Sequence, residues 1–244
     1  MGWMHDTLSY FQKEPIHRRY HHSHLTFPLI YAFHENFTSV LSHDEVVHGK
    51  RSIINKMPGD FWQKFANTRL LYAFMWTMPG KKLLFMGNDI GQWNEWNCNQ
   101  SIDWHLLGFE PHQGLSRLIT HLNYLYRNEP ALHQKDFEAD GFEWIDFQDA
   151  DNSIISWIRK GDHPDDQMIF VANCTPVPRL DYRLGLPTGG YYKEVLNSDS
   201  EFYFGSNVGN GGGGWAQEQP WQNRSHSMQI QLPPLAVVGF KLQR

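Results

Sequence analysis

The stretch Phe37-Thr38-Ser39-Val40-Leu41-Ser42-His43-Asp44-Glu45-Val46-Val47-His48-Gly49-Lys50 holds the densest information in this chain. Its apolar opening, Phe37 to Leu41, predicts a buried strand. An adjacent His43–Asp44 pair follows at once, then a glycine turn at Gly49. Asp60 comes next, with Gln63 at capping-box spacing, and opens a helix running to Met78, where Pro79-Gly80 stops it. Polar, chemistry-bearing side chains at the C-terminal end of a strand, ahead of a helix, are where α/β barrels place their active sites.

The pattern continues downstream. Leu83-Leu84-Phe85-Met86 reads as a short strand buried on both faces, and a loop rich in Asn and Trp spans Asn88 to Trp104. A further helix is predicted over Gly114 to Arg127. Alternating strands and helices of these lengths mean a parallel sheet. After Pro130 the segments become short and rich in β-branched and aromatic residues: Phe142–Phe147, Ser153–Arg159, Met168–Ala172, Tyr191–Leu196, Ser227–Leu232 and Val237–Leu242. These predict an antiparallel β-sandwich. The boundary falls between Glu129 and Phe137, and Gly205 to Gly214 reads as a flexible loop within the second domain.

Composition narrows the function. The chain has 244 residues, 41% hydrophobic and 15% aromatic, enough for a substantial core and for aromatic faces on which sugar rings stack. With a net charge of −5 and no block of Lys and Arg, it lacks the basic footprint of a nucleic-acid binder. No apolar run approaches the roughly 20 residues that cross a bilayer. Cys98 and Cys174 form no CxxC pair, which fits reduced thiols in the cytoplasm. His17, His21, His22 and His24 look like metal ligands but lack convergent Cys or acidic partners, so a histidine-rich surface is expected and no metal site. Gly209 to Gly214 formally matches GxGxxG, yet no strand leads in and Pro220 interrupts the helix that would have to follow. Gly49-Lys50-Arg51-Ser52 is no phosphate loop, because Asp44 stands at the first glycine position.

Leu41 to Lys50, with Lys50-Arg51-Ser52 and Met57 to Asn67, resembles the glycogen branching enzymes of the alpha-amylase clan. The likeness runs over essentially the whole chain, including Asn173 to Arg179 and Gly205 to Gly211. It implies α/β plus all-β architecture: residues 1–133 as the C-terminal part of a (β/α)8 TIM barrel, strands six to eight, and residues 134–244 as an antiparallel all-β domain. The implied reaction cuts an α-1,4-glucan, holds the chain as a covalent glucosyl-enzyme and passes it to a 6-hydroxyl. Neither organic cofactor nor catalytic metal is implied.

The resemblance also implies roles. Asp44 becomes the transition-state-stabilising carboxylate of the clan, and His43 binds the same sugar. Trp3, His5 and Asp6 fall at the end of the sixth strand, where they could line the cleft, although Trp3 equally suits the core and Asp6 also fits the N-cap of a helix starting near Thr7. Asn88, Asp89, Gln92, Trp93 and Trp96 lie at the catalytic mouth, or form a structural loop over the rim. Here Asp89-Ile90 replaces the commoner Glu-Phe of the family. The nucleophile and acid/base belong to the fourth and fifth strands, before this resemblance begins, and Glu45 and Asp89 match neither. The chain is therefore expected to be a C-terminal piece, with Met1 an internal methionine and the missing N-terminal part as partner. Alone it is expected to be inactive and prone to aggregate. An amylase-type hydrolase and a non-catalytic glucan-binding module are the alternatives.

Overall fold

The computed structural model describes residues 2–243; Met1 and Arg244, at the outer bounds of the two expected domains, lie outside the described residues. The first half contains helices α1 (Gly2–Phe11), α2 (Ser23–Thr26), α3 (Ile53–Lys56), α4 (Phe61–Thr77) and α5 (Glu110–Asn128), with strands β1 (Thr38–Leu41) and β2 (Lys81–Leu84). β1 and β2 pair in parallel, Thr38 opposite Lys81 and Leu41 opposite Leu84. With α4 between them they make one βαβ unit.

Two corrections follow for this half. In place of three parallel strands, two are present among the described residues, and Gly2–Phe11, expected at the end of a strand, is a helix. Met4, Leu8 and Phe11 recur at helical spacing and are all buried on one face, so the helix wins locally. Trp3, His5 and Asp6 are thus helical residues, and Asp6 sits inside α1 instead of capping it. Second, β2 is not buried on both faces. It pairs with β1 alone among the described residues, leaving Leu83 43% and Met86 52% exposed. It also begins and ends two residues before the predicted run, because Asn88 N–H turns back to Phe85 O at 3.2 Å.

The helices follow the sequence more closely. Asp60 Oδ1 accepts from Gln63 N at 2.8 Å while Gln63 Oε1 accepts from Asp60 N at 3.0 Å, completing the capping box of α4. From Phe65 to Thr77 every residue of α4 is buried. α5 starts earlier than predicted, at Glu110-Pro111, where proline suits the first turn. Gly114 lies inside it because a Cβ there would come within 2.7 Å of the Tyr203 backbone.

The second half is all β. Six strands form one antiparallel sheet in the order β3 (Phe142–Asp146), β4 (Ile154–Lys160), β5 (Gln167–Asn173), β10 (Ala236–Gln243), β7 (Tyr191–Asn197) and β8 (Gly213–Trp215). A two-stranded sheet of β6 (Arg179–Leu186) and β9 (His226–Leu232) covers one face. Ile154, Ile158, Ile169 and Phe240 of the large sheet bury against Leu184, Met228 and Ile230 of the small one. β6 and β8 are additional to the predicted strands. The stretch 205–214 is not a loose loop either: Asp199 accepts from Ser206 N at 2.9 Å and from Ser206 Oγ at 2.5 Å, its carbonyl takes Asn207 N at 2.8 Å, and Gly213-Gly214 join β8.

The other face of the large sheet packs on α4. Leu70, Leu71 and Phe74 share one continuous core with Trp157, Phe170 and Val237. Trp157 meets Phe74 edge-on at 5.8 Å and donates Nε1–H to Thr77 O at 3.2 Å. Buried arginines complete the join. Arg18 donates to Cys174 O at 2.9 Å and Asn67 Oδ1 at 2.7 Å; Arg69 donates to Ser198 O at 3.0 Å; Arg159 reaches Asp136 at 2.8 Å and Thr77 O at 3.2 Å. Burial pulls the Arg69 guanidinium down to about 10 against the neighbouring Asp199 carboxylate.

Candidate active site

β1 ends at Leu41, and Ser42 caps a single 3-10 turn, His43–Glu45. The Ser42 hydroxyl accepts from Asp44 N at 3.3 Å and donates to Asp44 Oδ2 at 3.1 Å. His43 Nε2 lies 3.3 Å from Asp44 Oδ1. Both side chains remain open to solvent, His43 at 54% and Asp44 at 45%, so carboxylate oxygens are free to accept from a ligand. The His43 ring packs at 5.7 Å from Phe85 and 6.3 Å from Trp96, and those two rings meet edge-on at 5.2 Å. The pair thus stands at the C-terminal end of a parallel strand, walled by aromatics from the loop after β2.

Glu45 is the buried counterweight. It accepts from Lys56 Nζ at 3.3 Å and lies 3.6 Å from Lys50 Nζ and 3.5 Å from His5 Nδ1. Burial lowers the Lys56 ammonium, and Glu45 works against that shift. His5 therefore reaches this neighbourhood through Glu45. Trp3 and Asp6 do not: they line a separate cavity of about 280 Å³ with Tyr31, Phe37 and Pro79, where β1 and β2 begin.

The loop after β2 divides its residues. Trp96 faces His43, as above. Trp93 is docked on the helices, stacked on Phe61 at 5.8 Å, with Nε1–H donating to His112 Nε2 at 3.2 Å. His112 Nδ1–H donates to Ile90 O at 2.7 Å, which defines a neutral tautomer, and burial lowers its pKa. Gln92 Oε1 accepts from Asp103 N at 3.0 Å and so pins the loop. Asn88 is buried, its carbonyl accepting from Tyr72 OH at 2.9 Å. Asp89 lines a groove of about 710 Å³ with Lys81, Lys82 and Tyr126, away from His43. Nothing in the residue pattern singles out Glu95, whose carboxylate accepts from Gly49 N at 2.9 Å and Arg51 N at 2.6 Å. Only the positive φ of its partners, invisible in a single sequence at Arg51, could have pointed to it.

The whole chain is 58% identical to the 1,4-alpha-glucan branching enzyme GlgB of Paramagnetospirillum magneticum, covering 33% of that protein. It is 55% identical over 241 residues to GlgB of Aquifex aeolicus, covering 38% of it. Along its whole length the chain is similar to 1,4-alpha-glucan branching enzymes. It spans about a third of the length of the curated relatives it matches. The family profile described as "Alpha amylase, C-terminal all-beta domain" matches residues 144–243, the antiparallel sheets described above.

Solved structures agree on the fold. Ttha1563 from Thermus thermophilus superposes with a TM-score of 0.64 at 16% identity, over 99% of this chain and 47% of that one. A debranching enzyme from Nostoc punctiforme gives 0.64 at 11% identity, over 98% and 46%. A pullulanase from Bacillus acidopullulyticus gives 0.61 at 14%, over 95% and 27%. Among the described residues no cluster of His, Cys, Asp and Glu is arranged to hold a metal ion, and no helix is long and apolar enough to cross a membrane.

Proposed function

We propose that this chain is part of a 1,4-alpha-glucan branching enzyme and that Asp44 stabilises its transition state. The observation that carries this reading is the solvent-open His43–Asp44 pair at the C-terminal end of parallel strand β1, beside the Phe85–Trp96 wall. β1 and β2 are read as two neighbouring strands of a (β/α)8 barrel within residues 1–133, followed by the all-β domain of 134–244. α-Glucan is the substrate, in the cytoplasm, without organic cofactor or metal.

The chemistry follows from what the pair can do. Retaining glycoside chemistry passes through an oxocarbenium-like transition state and gains from hydrogen bonds to the 2-hydroxyl that tighten there. An ionised Asp44 accepts from vicinal sugar hydroxyls, and His43 adds a polar contact and a ring edge. The nucleophile and acid/base carboxylates come from the remainder of the longer protein. Trp96 supplies an aromatic face; Trp3, His5, Asp6, Asn88, Asp89, Gln92 and Trp93 serve the glucan groove or its support. The test is to incubate the full-length protein with amylose and measure α-1,6 linkages and reducing ends. New α-1,6 linkages support the proposal. Reducing ends without them identify a hydrolase, and binding without turnover identifies a glucan-binding module.

A further inference from the structure

The loops that follow β1 and β2 are fastened to each other by consecutive residues of the second. Trp96 N–H donates to Val46 O at 2.8 Å. One position earlier, Glu95 Oε2 accepts from Gly49 N at 2.9 Å and Oε1 from Arg51 N at 2.6 Å. Gly49 at φ +84° and Arg51 at φ +66° are both left-handed, and Glu95 engages both of their N–H groups. A non-glycine residue holds that conformation only where its surroundings impose it. Two steps before Glu95, Trp93 O accepts from Ser52 Oγ at 2.9 Å and Asn55 Nδ2 at 2.6 Å. These bonds hold both ends of the 46–55 stretch.

The carboxylate of Asp44 has no such support of its own. Its side-chain partners among the described residues are Ser42 and His43, both within two residues of it in the chain. Where Asp44 points therefore depends on where its loop sits. The inner side of that loop is anchored by Glu45 to Lys56, and the outer side by Glu95. Ionised acceptors make the stronger hydrogen bonds, and the two N–H donors occupy both Glu95 oxygens. The backbone bonds to Arg51 and Gly49 hold its carboxyl below the usual range.

We propose that Glu95 is a positioning residue of the glucan site: its ionised carboxylate, bidentate on Gly49 and Arg51, fixes the loop bearing His43 and Asp44 against Trp96. This rests on the function proposed above. Glutamine at this position keeps one acceptor and turns an NH2 toward the other backbone donor, so the clamp opens. Aspartate keeps the charge on a shorter stem and restores part of it.

The experiment uses the full-length protein with amylose, comparing Glu95→Gln, Glu95→Asp and, as a control outside both loops, the exposed His34→Ala. Misplacing a reacting group from outside the chemistry slows turnover by about ten- to a hundredfold. That loss in kcat is expected for Glu95→Gln with KM for amylose nearly unchanged, partial recovery in Glu95→Asp and no change in His34→Ala. Hydrogen exchange reads the clamp directly: the amides of residues 46–51 should exchange faster in Glu95→Gln, with thermal unfolding little altered. Unchanged kcat in Glu95→Gln overturns the proposal, as does slowed turnover with unchanged exchange at 46–51. If the unmodified protein forms no branches, the proposed function fails, and the exchange measurement alone then decides whether Glu95 holds the loop.

Discussion

At the scale of single residues, two carboxylates in this chain are held in opposite ways. Asp44 is exposed and bonded only locally, so its charge is available to a ligand. We expect Asp44→Asn in the full-length enzyme to leave glucan binding nearly intact and to raise the barrier by about 3 kcal/mol, the usual effect of deleting one preorganised transition-state contact. Unchanged turnover in the folded variant would end its proposed role. Asp136 is the reverse case. It is buried among Arg159 at 2.8 Å, Lys81 at 3.0 Å and the Tyr126 hydroxyl. Burial alone would raise its pKa, but Lys82 and Arg159, with the bonds from Tyr126 and Lys81, bring it below the ordinary value. A depressed carboxylate contributes stability above its unfolded pKa, about 3.9, and loses it as pH falls through the folded value. Asp136→Asn leaves Arg159 buried without its counter-charge, so we expect a loss of about 3–5 kcal/mol at neutral pH. Thermal unfolding from neutral to strongly acid pH should show the gap to the unmodified protein narrowing at the acid end. A constant gap would mean that the charge of Asp136 is not what stabilises the join.

Among the elements, α4 carries the junction, because it buries one side against the large sheet and holds the capped end near the candidate site. Asp60→Ala removes the N-cap and should cost about 1 kcal/mol, measured by denaturant unfolding at constant m-value. A loss within error would show that packing from Phe65 to Thr77 alone sets the helix start. This helix was legible in the sequence because its signals are local: Asp60 and Gln63 at one end, Pro79-Gly80 at the other. β1 was legible for the same reason, although it is not the buried strand expected: Phe37 lies outside it and is 41% exposed, and Thr38 is exposed while Ser39 and Leu41 are buried. What failed depended on partners distant in the chain. Leu83 and Met86 have the composition of a doubly buried strand, but the described residues supply β2 with one neighbour. Asp199 bonds along 205–208, so a glycine-rich stretch that looks loose is tied down. Glu95 finds its donors more than forty residues away, at Gly49 and Arg51, where spacing carries no message. β6 had a readable alternation, Arg179-Leu180-Asp181-Tyr182-Arg183-Leu184, that the turn-rich surroundings concealed.

For the molecule as a whole, the decisive contrast is between a finished join and an unfinished sheet. Phe74, Trp157 and Phe170 belong to one core, and Arg18, Arg69 and Arg159 stitch helices to strands across it. Nothing comparable among the described residues closes β1 and β2, which pair only with each other, with Phe37, Leu83 and Met86 exposed along or beside them. Unpaired strand edges with apolar side chains template association. Residues 1–244 expressed alone should therefore unfold as one cooperative unit yet self-associate as concentration rises. They should also form no α-1,6 linkages, because the role proposed for Asp44 is to stabilise a transition state, which supplies neither nucleophile nor proton donor. Size-exclusion chromatography across a concentration series, thermal unfolding and an amylose branching assay separate the parts of this expectation. A monomer at every concentration would show that the β1–β2 edges are protected in solution. Two separate transitions would show that the shared core does not couple the halves. New α-1,6 linkages made by this segment would place the missing carboxylates within it, and Asp44 would no longer be the one group on which the chemistry here depends.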